Sequence, residues 1–247
     1  EIYNSKSESA AVYKVPVYTE NETKKFAEDF FASQGQVIDD SRTDLYDETA
    51  VYYSTEQNSL WIDYTGGTMN YTDYTVTFGD DLDEESYSES VAGADEATVR
   101  KALSAYGINV PEGALFQELT GDSPGYEFVV SQQNEDGLFY DGSLYCTLYE
   151  GEKFGEISNH ILSCEKYKEY PVLSENEAME QIENGDFLYF GQDSDEIKSI
   201  DLGKVTMKYV VDSKNYYQPV YSFEARVNGE KEYEIDIPAL KNISGKE

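Results

Sequence analysis

The sequence predicts an α+β protein of tandem modules, each a helix packed on an antiparallel β-meander. The first observation behind this is a repeated set of letters. "VYTENET" from Val17 and "VLSENEA" from Val172 share Val-x-(Ser/Thr)-Glu-Asn-Glu. Each matches a capping box. Thr19 or Ser174 accepts a bond from the backbone N–H three residues on, and Glu22 or Glu177 reaches back to the cap amide. The second observation is where the following runs stop. They end at Gly35, at Gly185 and, after a third run that starts near Asp95, at Gly107. Glycine at that place takes the left-handed conformation that closes a helix. The third is periodicity. After each helix the apolar spacing drops from about 3.6 residues to about two, the spacing of a strand with one face buried.

In the first module "KKFAEDFFASQG" puts Phe26, Phe30 and Phe31 on one side of the helix. The strands "LYDETAVYYS", "SLWIDYT" and "TMNYTDYTVTF" follow, within 15–92. Gly66-Gly67 suits a two-residue turn that pairs Tyr64 with Met69 and Ile62 with Tyr71. That register leaves Trp61, Asp63, Asn70 and Thr72 on the opposite, more polar face. These four are the candidate interaction surface, because a large aromatic on a wet face can stack a sugar or anchor a partner. Cover by a neighbouring module is the alternative for Trp61.

The second module opens at "DEATVRKALSAYG", with Val99, Ala102, Leu103 and Tyr106 inward. It continues through "ALFQELT", "YEFVVSQ", "SLYCTLYE" and "GEISNHILS". In the third, "AMEQIENG" turns Ala178 and Ile182 inward, with Met179 beside them, ahead of "IDLGKVTMKYVV", "QPVYSFEARV" and "KEYEIDIPA". A three-residue Val227-Asn228-Gly229 loop there pairs Phe223 with Tyr233 and Tyr221 with Ile235. These two modules occupy 93–240, and 241–247 reads as a tail.

With 39% hydrophobic and 14% aromatic residues, the chain can build a core and is not a disordered polyanion. Its 50 Asp and Glu against 18 Lys and Arg give a net charge of −32. Such a field repels phosphate backbones and anionic headgroups, which argues against nucleic acid as a partner. It also keeps an exported protein soluble. No apolar run reaches the roughly 18 residues that a membrane span needs. The opening "EIYNSKSESAAVYK" reads as a polar spacer, residues 1–14, after a removed signal peptide or anchor.

Cys146 and Cys164 lie in strand-like runs on either side of "EGEKFGE". Two readings stay open. A disulfide across the hairpin fits an oxidising compartment, and two buried thiols behave as small hydrophobes. His160 is the one histidine; its place on a strand-like run favours a structural role over general-base chemistry. No G-x-S-x-G elbow, phosphate-cradling loop or zinc-ligand spacing occurs. The acid clusters "GDDLDEES" (79–86) and "GQDSDE" (191–196) lack the spacing of a calcium loop and read as solvated loops. The expectation is a protein without a catalytic centre, metal or cofactor.

One stretch of about 70 residues resembles a known pattern. It runs through "YKEYPVLSENEAMEQIENGDF" to "IDLGKVTMKYVV" and "YYQPVYSFEARVNGEKEYEIDIPAL". The features are Pro171, the Ser174 cap, Glu177-Ala178, Asn184-Gly185, the "VTMKY" strand, Pro219-Val220-Tyr221 and the closing "IDIPAL". They are similar to the C-terminal part of the YycH/YycI regulatory proteins and of related Firmicute lipoproteins with PepSY-like α+β repeats. The resemblance implies a Gram-positive, extracytoplasmic, cell-surface protein tethered to the membrane through an N-terminal segment or lipid. It implies a protein partner at the membrane surface, a sensor histidine kinase or a paralogous regulator, engaged by contact without an active site. Exposed aromatics support an alternative, a surface lipoprotein that binds carbohydrate or peptide. An acid-dependent hydrolase is the third reading.

Overall fold

A computed structural model describes residues 8–46, 48–77, 91–120, 125–133, 137–187, 197–229 and 231–241. The acid clusters at 79–86 and 191–196 lie outside the described residues. In chain order the elements begin with β1 (Ser9–Lys14), α1 (Glu20–Ala32), β2 (Asp44–Tyr46), β3 (Ala50–Ser54), β4 (Asn58–Asp63) and β5 (Met69–Asp73). Next come α2 (Tyr74–Thr77), α3 (Glu96–Ala105), β6 (Leu115–Leu119), β7 (Gly125–Gln133), β8 (Leu138–Tyr149), β9 (Lys153–Asn159) and β10 (Leu162–Pro171). The last are α4 (Glu175–Glu183), β11 (Ile200–Val211), β12 (Tyr216–Val227) and β13 (Lys231–Pro238). The fold is mostly antiparallel β-sheet with few helices. It divides into two compact units, Val15–Glu165 and a second made of Glu1–Lys14 with Lys166–Glu247.

The repeated letters are helix starts. The Thr19 hydroxyl accepts from the Glu22 N–H at 3.3 Å, and the Glu22 carboxylate accepts from the Thr19 N–H at 2.8 Å. Ser174 and Glu177 repeat the exchange at 3.2 and 2.7 Å. Asp95 caps α3 by accepting from the Thr98 N–H at 2.8 Å. The stops are as regular. Gly35, Gly107 and Gly185 sit at φ of 72°, 79° and 77°. The next amide then closes onto a carbonyl five residues back: Gln36 onto Phe31, Ile108 onto Leu103, Asp186 onto Gln181. That closure satisfies carbonyls a helix end would otherwise leave without partners.

In the larger unit the strands run β6-β7-β8-β9-β5-β4-β3-β2, all antiparallel. Phe30 and Phe31 of α1, Val99 and Leu103 of α3 and its C-cap Tyr106 join one core with Leu60, Tyr71, Phe128, Leu144 and Phe154. Edge-on ring pairs bind it, Phe30–Tyr71 at 5.0 Å and Tyr106–Phe154 at 5.1 Å. Phe26, expected inward, is 37% exposed; Thr23 and Ala27 take the inner face instead. The helices expected to open separate modules thus share this core. The link is the β5–β9 pairing, Tyr71 opposite Ile157, which joins strands far apart in sequence.

The β4–β5 hairpin has its register two residues from the expected one, with Ile62 opposite Met69 and Trp61 opposite Asn70. A shift of two keeps every side chain on its face. The longer loop is tied down by the incoming chain. Thr65 bridges Val17, the Gly66 N–H donates to the Pro16 carbonyl, and Gly67 lies against the Tyr18 ring.

Cys146 and Cys164 are free and buried, which corrects the disulfide reading. β9 and the start of β10 run one after the other along the same edge of β8. Cys146 faces Ile157, and Cys164 faces Phe139. Phe139 lies seven residues from Cys146 on β8, roughly 23 Å along a strand. A hairpin that turns at Gly151 cannot bring the two sulfurs together.

In the smaller unit β12 pairs with β11, β13 and β1. The opening segment expected as a spacer therefore supplies a strand, with Tyr13 opposite Tyr217. Ala178 and Ile182 of α4 bury with Tyr221, Phe223, Ile235 and Ile237. The β12–β13 register is also shifted by two, Phe223 opposite Ile235 and Tyr221 opposite Ile237. Asn228 stands at φ 53°, and its side chain accepts from the Lys198 and Ser199 amides at 2.8 and 3.2 Å. Asn228 tolerates the left-handed region and holds a second segment from there, which moves the turn along the chain.

Candidate interaction surface

Strand alternation gives the larger unit's sheet a second face, opposite α1 and α3. Leu60, Ile62, Met69, Tyr71 and Ile157 point into the core. Trp61, Asn70 and Ser158 therefore point the other way, and they oppose one another in register across β4, β5 and β9. Trp61 is half-buried and Asn70 exposed. Asp63 and Thr72 are half-buried and flank them on either side. The Asp63 carboxylate accepts from the Thr68 hydroxyl at 2.8 Å, and Thr72 lies opposite Ser59. Of the four residues expected here, Trp61 and Asn70 thus form the centre and the other two its margins.

Ser158 and His160 complete the centre. The Ser158 hydroxyl donates to the Asn70 Oδ1 at 2.6 Å. The exposed His160 ring places Nε2 at 3.1 Å from Ser158 Oγ and 3.2 Å from Asn70 Oδ1. The backbone that sets this ring needs Gly142, at φ 124°. The His160 N–H donates to the Ser143 carbonyl at 2.9 Å, and a Cβ on Gly142 would collide with the His160 carbonyl. Ser158 and His160 are two residues apart, one near the end of β9 and the other just past it, so their proximity is local. Their meeting with Asn70 depends on the β5–β9 pairing, which no local pattern announces.

The trio is a hydrogen-bonded cluster of one hydroxyl, one amide and one imidazole. A nucleophile–base–orienter relay uses the two ring nitrogens for two different partners. Here Ser158 and Asn70 share Nε2, and the Ser158 proton is directed at the amide oxygen. Beside them, burial raises the Tyr145 hydroxyl above its ordinary pKa, so it stays a neutral donor. Among the described residues no group of His, Cys, Asp and Glu is placed to hold a metal ion. No helix among them is long and apolar enough to cross a membrane.

No family model matches the chain, and no curated protein matches it. Among solved structures the Bacillus megaterium YpeB C-terminal domain is similar at 12% identity and a TM-score of 0.36, over 91% of this chain and 94% of that one.

Proposed function

We propose that this chain is a non-catalytic extracytoplasmic binding or regulatory protein. It is made of PepSY-like helix-on-meander repeats and acts by contact at the cell surface. The observation that carries the reading is the outer face around Trp61. It gathers an aromatic ring and three hydrogen-bonding side chains whose geometry suits recognition and not a relay. The sequence resemblance to the YycH/YycI regulators supports membrane tethering and a sensor kinase or paralogous regulator as the protein partner. The half-buried Trp61 on a polar face favours a second reading, a surface protein that binds carbohydrate or peptide. The two are compatible, since a regulator can carry a ligand face.

The test has two arms. Purified protein incubated with polysaccharides and peptides should release no product. Turnover that disappears in His160→Ala would contradict the non-catalytic reading. A photo-crosslinking residue at Thr72, in the producing cell, should capture a membrane-bound regulator or kinase; repeated absence of any adduct argues against a protein partner on this face.

A further inference from the structure

Across β8, β9, β5, β4 and β3 the outer face carries one row in register: Tyr145, Ser158, Asn70, Trp61 and Tyr52. Glu127 bounds the row beyond Tyr145, and Asp44 bounds it beyond Tyr52. Between those two carboxylates the row holds no acidic or basic residue, in a chain with 50 acids and a net charge of −32. A cationic partner is drawn to the acidic remainder of such a surface, and an anionic one is repelled by the margins. The uncharged row is therefore suited to a neutral ligand.

Its chemistry fits one neutral class. An indole presents a flat apolar surface, and a pyranose ring presents a matching face of C–H groups. On the strands beside Trp61, Asn70, Ser158 and His160 supply donors and acceptors already within 2.6 to 3.2 Å of one another. Sugar hydroxyls, which donate and accept, can enter such a network bond for bond. Five strands spaced about 4.8 Å apart make a track of roughly 19 Å. That length suits an oligosaccharide better than a single sugar.

We propose that this row binds a neutral glycan chain laid across the strands. Trp61 stacks on one sugar ring, and Asn70, Ser158 and His160 hydrogen-bond its hydroxyls. The inference rests on the reading of this face as a binding surface.

The test is calorimetric titration of the purified protein with neutral hexasaccharides of glucose and of N-acetylglucosamine. A lysine decapeptide serves as the cationic arm, and each titration is run at low and high salt. At least one hexasaccharide should bind saturably, with an affinity that does not change with salt. Trp61→Ala should weaken it by about tenfold or more. Asn70→Ala, at an exposed position, should weaken it while leaving the melting temperature unchanged, so that folding does not confound the result. No binding of any hexasaccharide at millimolar concentration would overturn the proposal, as would binding unaffected by both substitutions. Salt-sensitive binding of the lysine peptide alone would overturn it too. If sugars fail while the Thr72 crosslinker captures a protein, the glycan is wrong and the binding surface stands. If both fail, both readings fall.

Discussion

Two thiols and one glycine show how single residues answer to their surroundings. Burial pushes the Cys146 thiol up to about 12 and the Cys164 thiol up to about 11. Both therefore stay protonated and unreactive in the folded protein. Thiol titration should find little reaction under native conditions and two thiols after denaturation without reductant. A denatured protein with none would mean that the β8–β10 register is wrong. Gly142 answers to a different constraint. An alanine there must adopt φ 124° and drive its Cβ into the His160 carbonyl. Gly142→Ala should cost on the order of 1–3 kcal/mol or more and lower the melting temperature. A side chain tolerated without loss would contradict the close passage of β8 and the β9–β10 junction.

At the scale of elements, what was legible in the sequence is what is local. The caps, the glycine stops and the period of each strand sit within a few residues of one another, and Thr19, Ser174 and Gly107 are where they were expected. Ser174→Ala and Thr19→Ala should each cost about 0.5–2 kcal/mol in a denaturant melt, with ligand binding unaltered. The pH sign follows from the same box. The backbone bond from Ser174, its hydroxyl and Lys241 hold the Glu177 carboxyl below its ordinary value of 4.5. A depressed folded pKa contributes stability that is present above 4.5 and is lost as pH falls through the depressed value. Wild type should therefore exceed Glu177→Gln at neutral pH, and the gap should close in acid; a gap that widens in acid would contradict the box. Phe30→Ala should cost about 3–5 kcal/mol, whereas Phe26→Ala, on the solvent side, should cost well under half of that. The registers were harder to read. Both hairpins moved by two because their turns are held by distant segments, Val17 at Thr65 and Lys198–Ser199 at Asn228. Faces survived the shift, so Trp61 and Asn70 stayed together. Ser158 and His160 could not be joined to them without the β5–β9 pairing, a contact of long sequence separation.

At the scale of the whole molecule, charge sets the conditions under which the fold and its surface operate. A net charge of −32 repels itself in the compact state. Added salt screens that repulsion over a Debye length of about 10 Å at 0.1 M. The melting temperature should rise as salt is added from a low level, and a fall would contradict this view of the surface. Against that background the row through Trp61 stays uncharged between Glu127 and Asp44. The chain contains a single tryptophan, so its fluorescence reports that row alone. The direct measurement is acrylamide quenching of Trp61 emission in the folded protein, with and without a saturating neutral hexasaccharide. Emission should lie between that of buried and fully hydrated indole, with partial quenching in the free protein and less quenching when the sugar is bound. Blue-shifted emission that acrylamide does not reach, the same with and without sugar, would place Trp61 in a core and contradict the account.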